Sequence, residues 1–319
     1  MPPGSDIRGM AVSFKTARGD GGGMDGMNMK KTPDFDAAAG FMAAHARVLD
    51  RRVFQRLFQG GAPGPVRDAI AAYRNDDGGF GHGLEPDVRT AASQPAATEM
   101  ALRIMDLTDE WDTAMVSGAI DWLAAIAPAE GGAAFAEPSV ADGPHAPWWV
   151  PAEEHSASVI QTGQVAGLLY ARGFSHPWLD RATELMWERI GTLAEPGAYE
   201  MFGVLAFLQH VPDRSRALAA FDKIGPLILD RGLVALDPDD ASVAETHTPL
   251  DFAPLPGSIA RALFDDATIA AHLDHLAAAQ RDDGGWMFNW LAWSAAAEAD
   301  WRGFLTVEAL RVLRANGRA

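Results

Sequence analysis

The chain of 319 residues contains no cysteine. A disulfide framework is therefore impossible, and a cysteine-ligated zinc site is excluded. His272 and His275 lie three residues apart on one predicted helix, but no third ligand follows them at a recognisable spacing. The sequence therefore predicts neither a metal nor a cofactor.

Basic residues are scarce: 26 Lys and Arg stand against 43 Asp and Glu, which gives a net charge of -17. Nucleic acids and anionic membrane surfaces bind basic fields, so neither is an expected partner. The glycine-rich phosphate loop, the nucleophilic serine elbow and the magnesium-binding Asp-Asp-x-x-Asp motif are also missing. We expect an apolar small-molecule substrate, and the oligomeric state stays open.

Long apolar runs are absent as well. No stretch of about 18 apolar residues occurs, and the N-terminal region lacks the apolar core of a secretion signal. These absences predict a cytoplasmic protein without an integral membrane segment. Residues 1–33 are rich in Gly and Met without periodicity, so we expect a disordered segment there and one folded domain over 34–319.

Sustained β-branched alternation is nearly missing, whereas apolar residues recur with the period of an α-helix. Val66, Ile70 and Tyr73 follow Pro65 at such a spacing, and Pro65 suits the first position of a helix. About twelve helices, or six helical hairpins, are predicted between Asp34 and Ala315. The predicted helices include those that begin at Asp34 and Pro95, those over about 177–192, 213–229 and 266–280, and a last one from Trp301 to Ala315. The predicted fold class is all-α, and ring closure is favoured because no polar capping repeats are evident.

An acidic Gly-Gly turn recurs along the chain. Asp282-Asp283-Gly284-Gly285-Trp286 follows one helical run, and Asn75-Asp76-Asp77-Gly78-Gly79-Phe80 follows another. Asp accepts backbone hydrogen bonds in such turns, and Gly permits the positive φ at which a helix stops. Weaker copies at Gly131 and Gly232 indicate a period of roughly fifty residues, which is typical of stacked helical hairpins.

Gln280 with Gly284-Gly285-Trp286 resembles the repeat of squalene–hopene cyclases and protein prenyltransferases, in which Gln precedes Gly-x-Trp. The earlier copy departs from this pattern, with Arg74 and Phe80 at the Gln and Trp positions. The resemblance extends over about residues 34–316. It implies an (α/α)6 toroid with a central cavity, and it implies that Trp286 and Phe80 are packing residues.

Asp237-Pro238-Asp239-Asp240 resembles the Asp-x-Asp-Asp motif of class II terpene cyclases. The resemblance implies that Asp239 protonates an alkene or epoxide while Asp237 and Asp240 tune its acidity. A carboxylic acid is strong enough only if an apolar pocket keeps it neutral and another carboxyl binds it. The chain is shorter than those cyclases, which usually contain at least two helical domains. A solvated acidic loop is the alternative interpretation.

Two loops carry further candidate groups. His82, Glu85 and Asp87 follow the first Gly-Gly turn, where loop groups bind substrate or transfer protons. Their alternative role is structural, as helix caps or partners of Arg89. His247 and Asp251, in a later loop, form a candidate general-base pair, or else hold that loop together.

Aromatic residues supply the expected cavity wall. Trp149 and His155 belong to the longest loop, and Trp290 and Trp293 to the last one. Apolar cavities with a few polar groups are the usual small-molecule sites, and aromatic faces stabilise cations by about 0.5–2 kcal/mol each. Packing of the core or of a lid is the alternative role of these side chains.

Three functions remain open. The first is a metal-free, terpene-cyclase-like enzyme that cyclises or isomerises an isoprenoid-type molecule by acid initiation. The second is a carbohydrate-active toroid, a glycosidase or lyase, in which His82, Glu85, His247 and Asp251 carry acid–base chemistry. The third is a non-catalytic binding or scaffold protein.

Overall fold

The computed structural model describes residues 32–240 and 246–319, which contain thirteen α-helices and three short 3-10 helices. The α-helices are α1 Phe35–His45, α2 Val48–Phe58, α3 Pro65–Ala71, α4 Pro95–Leu107, α5 Thr113–Ala125, α6 Val159–Ala171, α7 Pro177–Thr192, α8 Ala198–His210, α9 Arg214–Ile224, α10 Leu227–Asp230, α11 Pro249–Phe252, α12 Asp266–Ala278 and α13 Ala295–Ala315. The 3-10 helices are η1 Pro138–Asp142, η2 Pro238–Asp240 and η3 Ile259–Leu263.

The predicted all-α class is confirmed, because the described ranges contain isolated β-bridges but no strand. No helix in these ranges is long and apolar enough to cross a membrane. The segment predicted to be disordered lies outside the described residues, apart from Thr32 and Pro33.

The described residues form two compact units. The first unit comprises residues 52–231, and the second comprises 32–51 together with 232–319. The sequence-based expectation of one ring over 34–319 concerns the arrangement of these parts, and it stays a prediction.

Helix boundaries follow local capping chemistry. Asp34, Asp112 and Asp265 accept hydrogen bonds from backbone N–H groups in the first turns of α1, α5 and α12. Ser294 caps α13 in the same way, so this helix begins six residues before the predicted start at Trp301. The helix predicted over 213–229 is divided into α9 and α10 around Pro226, which has no N–H to continue the ladder.

Close packing of α6 against α8 organises the first unit. Gly163 and Gly167 lie one turn apart on α6, and a β-carbon at Gly163 would collide with the backbone carbonyl of Gly203 on α8. Gly167 meets the carbonyl of Ala206 in the same manner. The two backbones therefore touch directly, and any larger residue at these positions would separate the helices.

Three of the Gly-Gly turns share one geometry. The first glycine has φ of 96° at Gly78, 96° at Gly131 and 90° at Gly284, whereas Gly232 has 63°. The acidic residue acts as expected, since Asp77 and Asp283 each accept a hydrogen bond from the second glycine of their turns.

Each of these three turns is attached to a threonine on a later helix. The residue after the second glycine donates its N–H to the threonine hydroxyl at 3.0–3.2 Å, in the pairs Phe80–Thr98, Ala133–Thr162 and Trp286–Thr306. A buried N–H needs such a partner because an unsatisfied amide is costly. The copy around Gly131, weak in sequence, is therefore structurally equivalent to the two clear ones.

Gln280 braces the second unit. Its side chain exchanges two hydrogen bonds of 2.7 Å with the backbone of Asp34, just before α1, and donates a third to the carbonyl of Gly284. Trp286 is fully buried, and its indole N–H donates to the carbonyl of Leu276. Phe80 is equally buried in the first unit. Both rings therefore act in packing.

Candidate active site

The Asp237–Asp240 loop of the second unit lies in solvent. The side chain of Asp239 is 92% exposed, and its carboxylate is 4.0 Å from the ring of His275. Its backbone N–H donates to Asp237 Oδ1 within η2, and Asp240 is exposed too. A neutral, strongly acidic carboxyl requires burial. The structure thus does not supply the apolar surroundings on which the predicted role of Asp239, Asp237 and Asp240 depends.

His247 and Asp251 occupy the start of α11. Asp251 Oδ2 accepts hydrogen bonds from the N–H and hydroxyl of Thr248, which closes a capping box at this helix. Burial lowers the pKa of His247 to about 4, and its ring meets the edge of Phe252. His247 is therefore neutral at pH 7, and Asp251 has a structural task.

The loop after the first Gly-Gly turn is folded inward. Glu85 and Asp87 are 0% and 1% exposed, and Glu85 Oε2 accepts the N–H of Asp87 at 2.7 Å. Only His82 of this predicted trio is exposed, with its ring bonded to Asn75. Glu85 and Asp87 are therefore not accessible for the predicted substrate binding or proton transfer, because this loop packs against residues 143–146.

The predicted aromatic wall falls into separate clusters. Trp149, 1% exposed, stacks on Phe135 in the first unit with ring centroids 4.5 Å apart. Trp290 belongs to the second unit, where it stacks on Phe288 and meets the edge of Trp301. Trp293 is half-buried in that unit. Trp149 thus contacts Phe135, a residue that lines a cavity of the first unit.

A cavity of about 520 Å³, hereafter the His155 cavity, opens in the first unit. Its walls come from residues 134–136 and Pro138, residues 151–153 and 155–160, the C-terminal end of α7 with the two residues that follow it, and the first turn of α8. The predicted ligand-binding residue His155 lines this cavity. Phe135, which stacks on Trp149, lines it as well. Cavities of this size, with mixed apolar and polar walls, are typical small-molecule sites.

His155, a lining residue of this cavity, is paired with the carboxylate of Glu137, which is not itself a lining residue. His155 Nε2 lies 3.0 Å from Glu137 Oε1, with the two side chains 43% and 15% exposed. Because a carboxylate only accepts hydrogen bonds, Nε2 carries the proton in the neutral ring and Nδ1 keeps its lone pair. This is the tautomer of a general base oriented by a carboxylate.

Glu137 is itself held by Gln94, the buried residue that precedes α4. The Glu137 N–H donates to Gln94 Oε1 at 2.9 Å, and Gln94 Nε2 donates to Ser139 Oγ at 2.8 Å. The N–H of Gln94 is bonded to the carbonyl of Phe80, in the first Gly-Gly turn. A chain of contacts thus runs from that turn to the histidine pair.

The segment after His155 is anchored as well. Glu130 Oε1 accepts the N–H of Ala157 at 2.8 Å, and this hydrogen bond holds the pKa of Glu130 below its usual range. Ser158 donates its N–H to the carbonyl of Ala133 and caps α6 with its hydroxyl. His155 therefore projects from backbone that is fixed on its C-terminal side.

Other polar groups line the same cavity. Arg189 is the cation among its lining residues, and Ser156 and Thr192 contribute hydroxyls. Glu153 adds an exposed carboxylate. Glu200 also borders the cavity, but one of its oxygens accepts the N–H of Gly197 at the start of α8. The walls thus offer several hydrogen-bonding groups to a polar ligand.

Within residues 32–240 and 246–319, no cluster of three or more His, Asp or Glu side chains stands close enough to hold a metal ion. The His272 and His275 pair contributes little in this respect. His272 Nε2 donates to the carbonyl of Leu236 at 3.0 Å, so that nitrogen has no lone pair to offer a metal.

The sequence predicts His155 and Trp149 as site residues, but not Glu137, Gln94 or Arg189. A glutamate before proline and a glutamine before proline are ordinary loop and capping signals. Nothing local distinguishes Glu137 and Gln94, because their roles arise from contacts across 18 positions of sequence for Glu137 and His155 and 43 for Gln94 and Glu137.

Comparisons with known proteins bear on the fold. No family model matches the sequence, and no curated protein matches it. A crystal structure of a protein from Actinoplanes is similar to this chain, with a TM-score of 0.51, 17% sequence identity and 88% of each chain covered. At this identity the similarity concerns the fold alone.

Proposed function

We propose that the protein is an enzyme that carries out general acid–base chemistry on a small hydroxylated molecule, of the size and polarity of a sugar. The observation that carries this proposal is the hydrogen bond between Glu137 and His155, the latter of which lines a 520 Å³ cavity. It takes up the carbohydrate-active alternative, with a different set of residues from the one expected.

In this proposal His155 is the base. In a lyase-type elimination, Nδ1 accepts a proton from the substrate carbon next to the C–O bond that breaks, and the resulting imidazolium is stabilised by the negative charge of Glu137. The electron pair of the broken C–H bond forms a C=C bond as the C–O bond breaks, and the imidazolium gives the proton to the leaving oxygen. Positioned acid–base groups of this kind accelerate reactions by about 10²–10⁴-fold.

The lining supports a polar ligand over an isoprenoid. Arg189 and Ser156 provide donors for substrate oxygens, while Phe135 provides a flat apolar face. Acid-initiated cyclisation of an isoprenoid has weaker support, since it needs a strong acid and Asp239 is 92% exposed. The toroid that the family resemblance implies remains part of the proposal, supported by the bracing hydrogen bonds of Gln280.

A two-step experiment tests this function. A thermal-shift screen compares monosaccharides, disaccharides and polyols with the isoprenoid alcohols geraniol and farnesol. Compounds that stabilise the protein are then incubated with it, and product formation is followed by mass spectrometry. We expect sugars or polyols to stabilise and to be converted.

Variants assign the chemistry. His155→Gln and Glu137→Gln are expected to lower turnover by about 10²–10⁴-fold while ligand binding is retained. Glu154→Gln is the matched control, because this exposed neighbour of His155 is not part of the cavity lining. Full turnover in His155→Gln, or stabilisation by isoprenoid alcohols alone, would contradict the proposal. Binding without conversion would instead assign a non-catalytic role.

A further inference from the structure

A second cavity, of about 470 Å³, lies between α7 and α9 of the first unit. Its floor is apolar and includes Trp187, Ile190, Ala220 and Ile224. We call it the Trp187 groove. It is independent of the proposed acid–base chemistry, since it contains neither His155 nor Glu137.

Two cationic side chains border the Trp187 groove. Arg216 and Lys223 lie two turns apart on α9, so they share one face of that helix. The guanidinium of Arg216 lies over the ring of Trp187, 4.1 Å from its centroid. Within the described part of the chain, neither cation forms an ion pair with a carboxylate.

Cations are scarce in this protein. Its net charge is -17, and Lys223 is the one lysine between positions 32 and 319. A local positive potential beside an apolar floor is complementary to a ligand with an apolar body and one negative charge.

We propose that the Trp187 groove binds an amphiphilic monoanion, specifically a medium-chain carboxylic acid. The aliphatic chain packs on Trp187, Ile190 and Ile224, and the carboxylate binds between Arg216 and Lys223. Burial of each methylene contributes to affinity, while the charge-assisted hydrogen bonds select an acid over an alcohol of equal length.

The groove also has a structural link to the His155 cavity. Leu193 and Ala194, in the connection from α7 to α8, line both spaces. An acid bound in the groove is therefore expected to contact Leu193 and Ala194, which also line the His155 cavity. Binding in the groove is nevertheless testable without any catalytic readout.

Isothermal titration with decanoate, decan-1-ol and decyltrimethylammonium tests the proposal on the full chain. We expect decanoate to bind at least about ten-fold more tightly than the alcohol, and the cationic amphiphile to bind most weakly. Equal affinity for the acid and the alcohol, or no decanoate binding, would overturn it.

Variants locate the site. Lys223→Met and Arg216→Gln are expected to weaken decanoate binding several-fold each and to leave decan-1-ol unchanged. Ala219→Phe, at an exposed position of the lining, is expected to block both ligands without unfolding the protein. Arg281→Gln removes one charge in the second unit as a control. An equal loss of decanoate affinity in Arg281→Gln would show a non-specific charge effect and refute the site.

Discussion

The backbone N–H of Glu137 donates a hydrogen bond to the side-chain Oε1 of Gln94 at 2.9 Å, across 43 positions of sequence. Gln94 is buried at the start of α4, and Glu137 holds the ring of His155. One buried amide thus connects a helix start to the proposed base. Since Gln94 does not line the cavity, it is a positioning residue rather than a catalytic one.

Gln94→Met tests this positioning role. The change keeps the side-chain volume but removes the acceptor for Glu137 and the donor for Ser139. We expect kcat to fall by about ten-fold or more with KM nearly unchanged, because geometry rather than substrate contact is lost. Steady-state kinetics on the substrate found by screening measures this split.

Ser139→Ala is the matched control for Gln94→Met. It removes the donor contact of Gln94 but leaves the bond to Glu137 in place. We expect near-normal kcat in this variant. A purely structural role for Gln94 would instead lower the melting temperature in both variants and leave kcat of the folded protein unchanged.

The stability of the protein is expected to fall in mild acid. Burial lowers the pKa of His247 to about 4, below the ordinary value of 6.5 that the unfolded chain has. Between these pH values the unfolded state binds more protons, so the free energy of unfolding decreases as pH falls from about 6.5 to 4. At 1.36 kcal/mol per pKa unit, the loss is up to about 3 kcal/mol.

Urea denaturation at pH 7.5 and at pH 5.0 measures this effect. His247→Gln is expected to reduce the pH dependence by the share of one histidine, while His82→Gln, at an exposed position, leaves it unchanged. Partial desolvation also lowers the pKa values of His210, His272 and His275, so some acid sensitivity persists in His247→Gln. Identical pH slopes in wild type and His247→Gln would contradict the assignment.

Gly163→Ala is expected to destabilise the first unit despite the higher helix propensity of alanine. The added methyl group collides with the carbonyl of Gly203, and such overpacking costs about 1–3 kcal/mol. Gly40→Ala on α1 is the control, because a β-carbon there meets no atom within 4 Å. That variant is expected to be more stable by about 0.5–1 kcal/mol. Thermal denaturation compares the two, and equal shifts would refute the close-packing argument.

The threonines behind the Gly-Gly turns are expected to be equivalent. Thr98→Val, Thr162→Val and Thr306→Val each leave a buried N–H without its acceptor, which costs about 1–3 kcal/mol. Thr192→Val, at an exposed position, serves as the control for the substitution itself. Similar losses at the three buried sites support a structural repeat, whereas a loss at only one would reject it. Chemical denaturation supplies the measurement.

Local patterns predicted much of the fold. The starts of α1, α4, α7 and α12 lie within two residues of the predicted ones, because Asp caps and N-terminal prolines act over a single helical turn. The Gly-Gly turns are also predictable from the sequence, since Asp77 and Asp283 accept hydrogen bonds from backbone N–H groups only two residues away. The predicted start of α13 at Trp301 is wrong. The capping residue Ser294 follows a segment rich in tryptophan and not a polar loop, so the sequence gives a weak capping signal there.

The candidate site is less predictable than the helices. The sequence predicts His155 as a functional group in a long loop, but it does not predict its partner Glu137. The acidic loop at Asp239 is predicted to be catalytic only because of its motif. Exposure decides whether a carboxylate is an ordinary ion or a perturbed acid, and exposure is a property of the folded chain. Asp239 at 92% and Glu85 at 0% exposure are indistinguishable in sequence.

The sequence by itself therefore determined the helical class, the recurring turn and most helix limits, because these depend on neighbours within one or two turns. Only the tertiary structure decided which groups share a cavity. His155 and Arg189 line one cavity, and Gln94 and Glu137 support His155, through the packing of loops and helices that are distant in sequence. Tertiary contacts of this kind depend on the complementary shapes of whole elements, so no short segment of the chain encodes them.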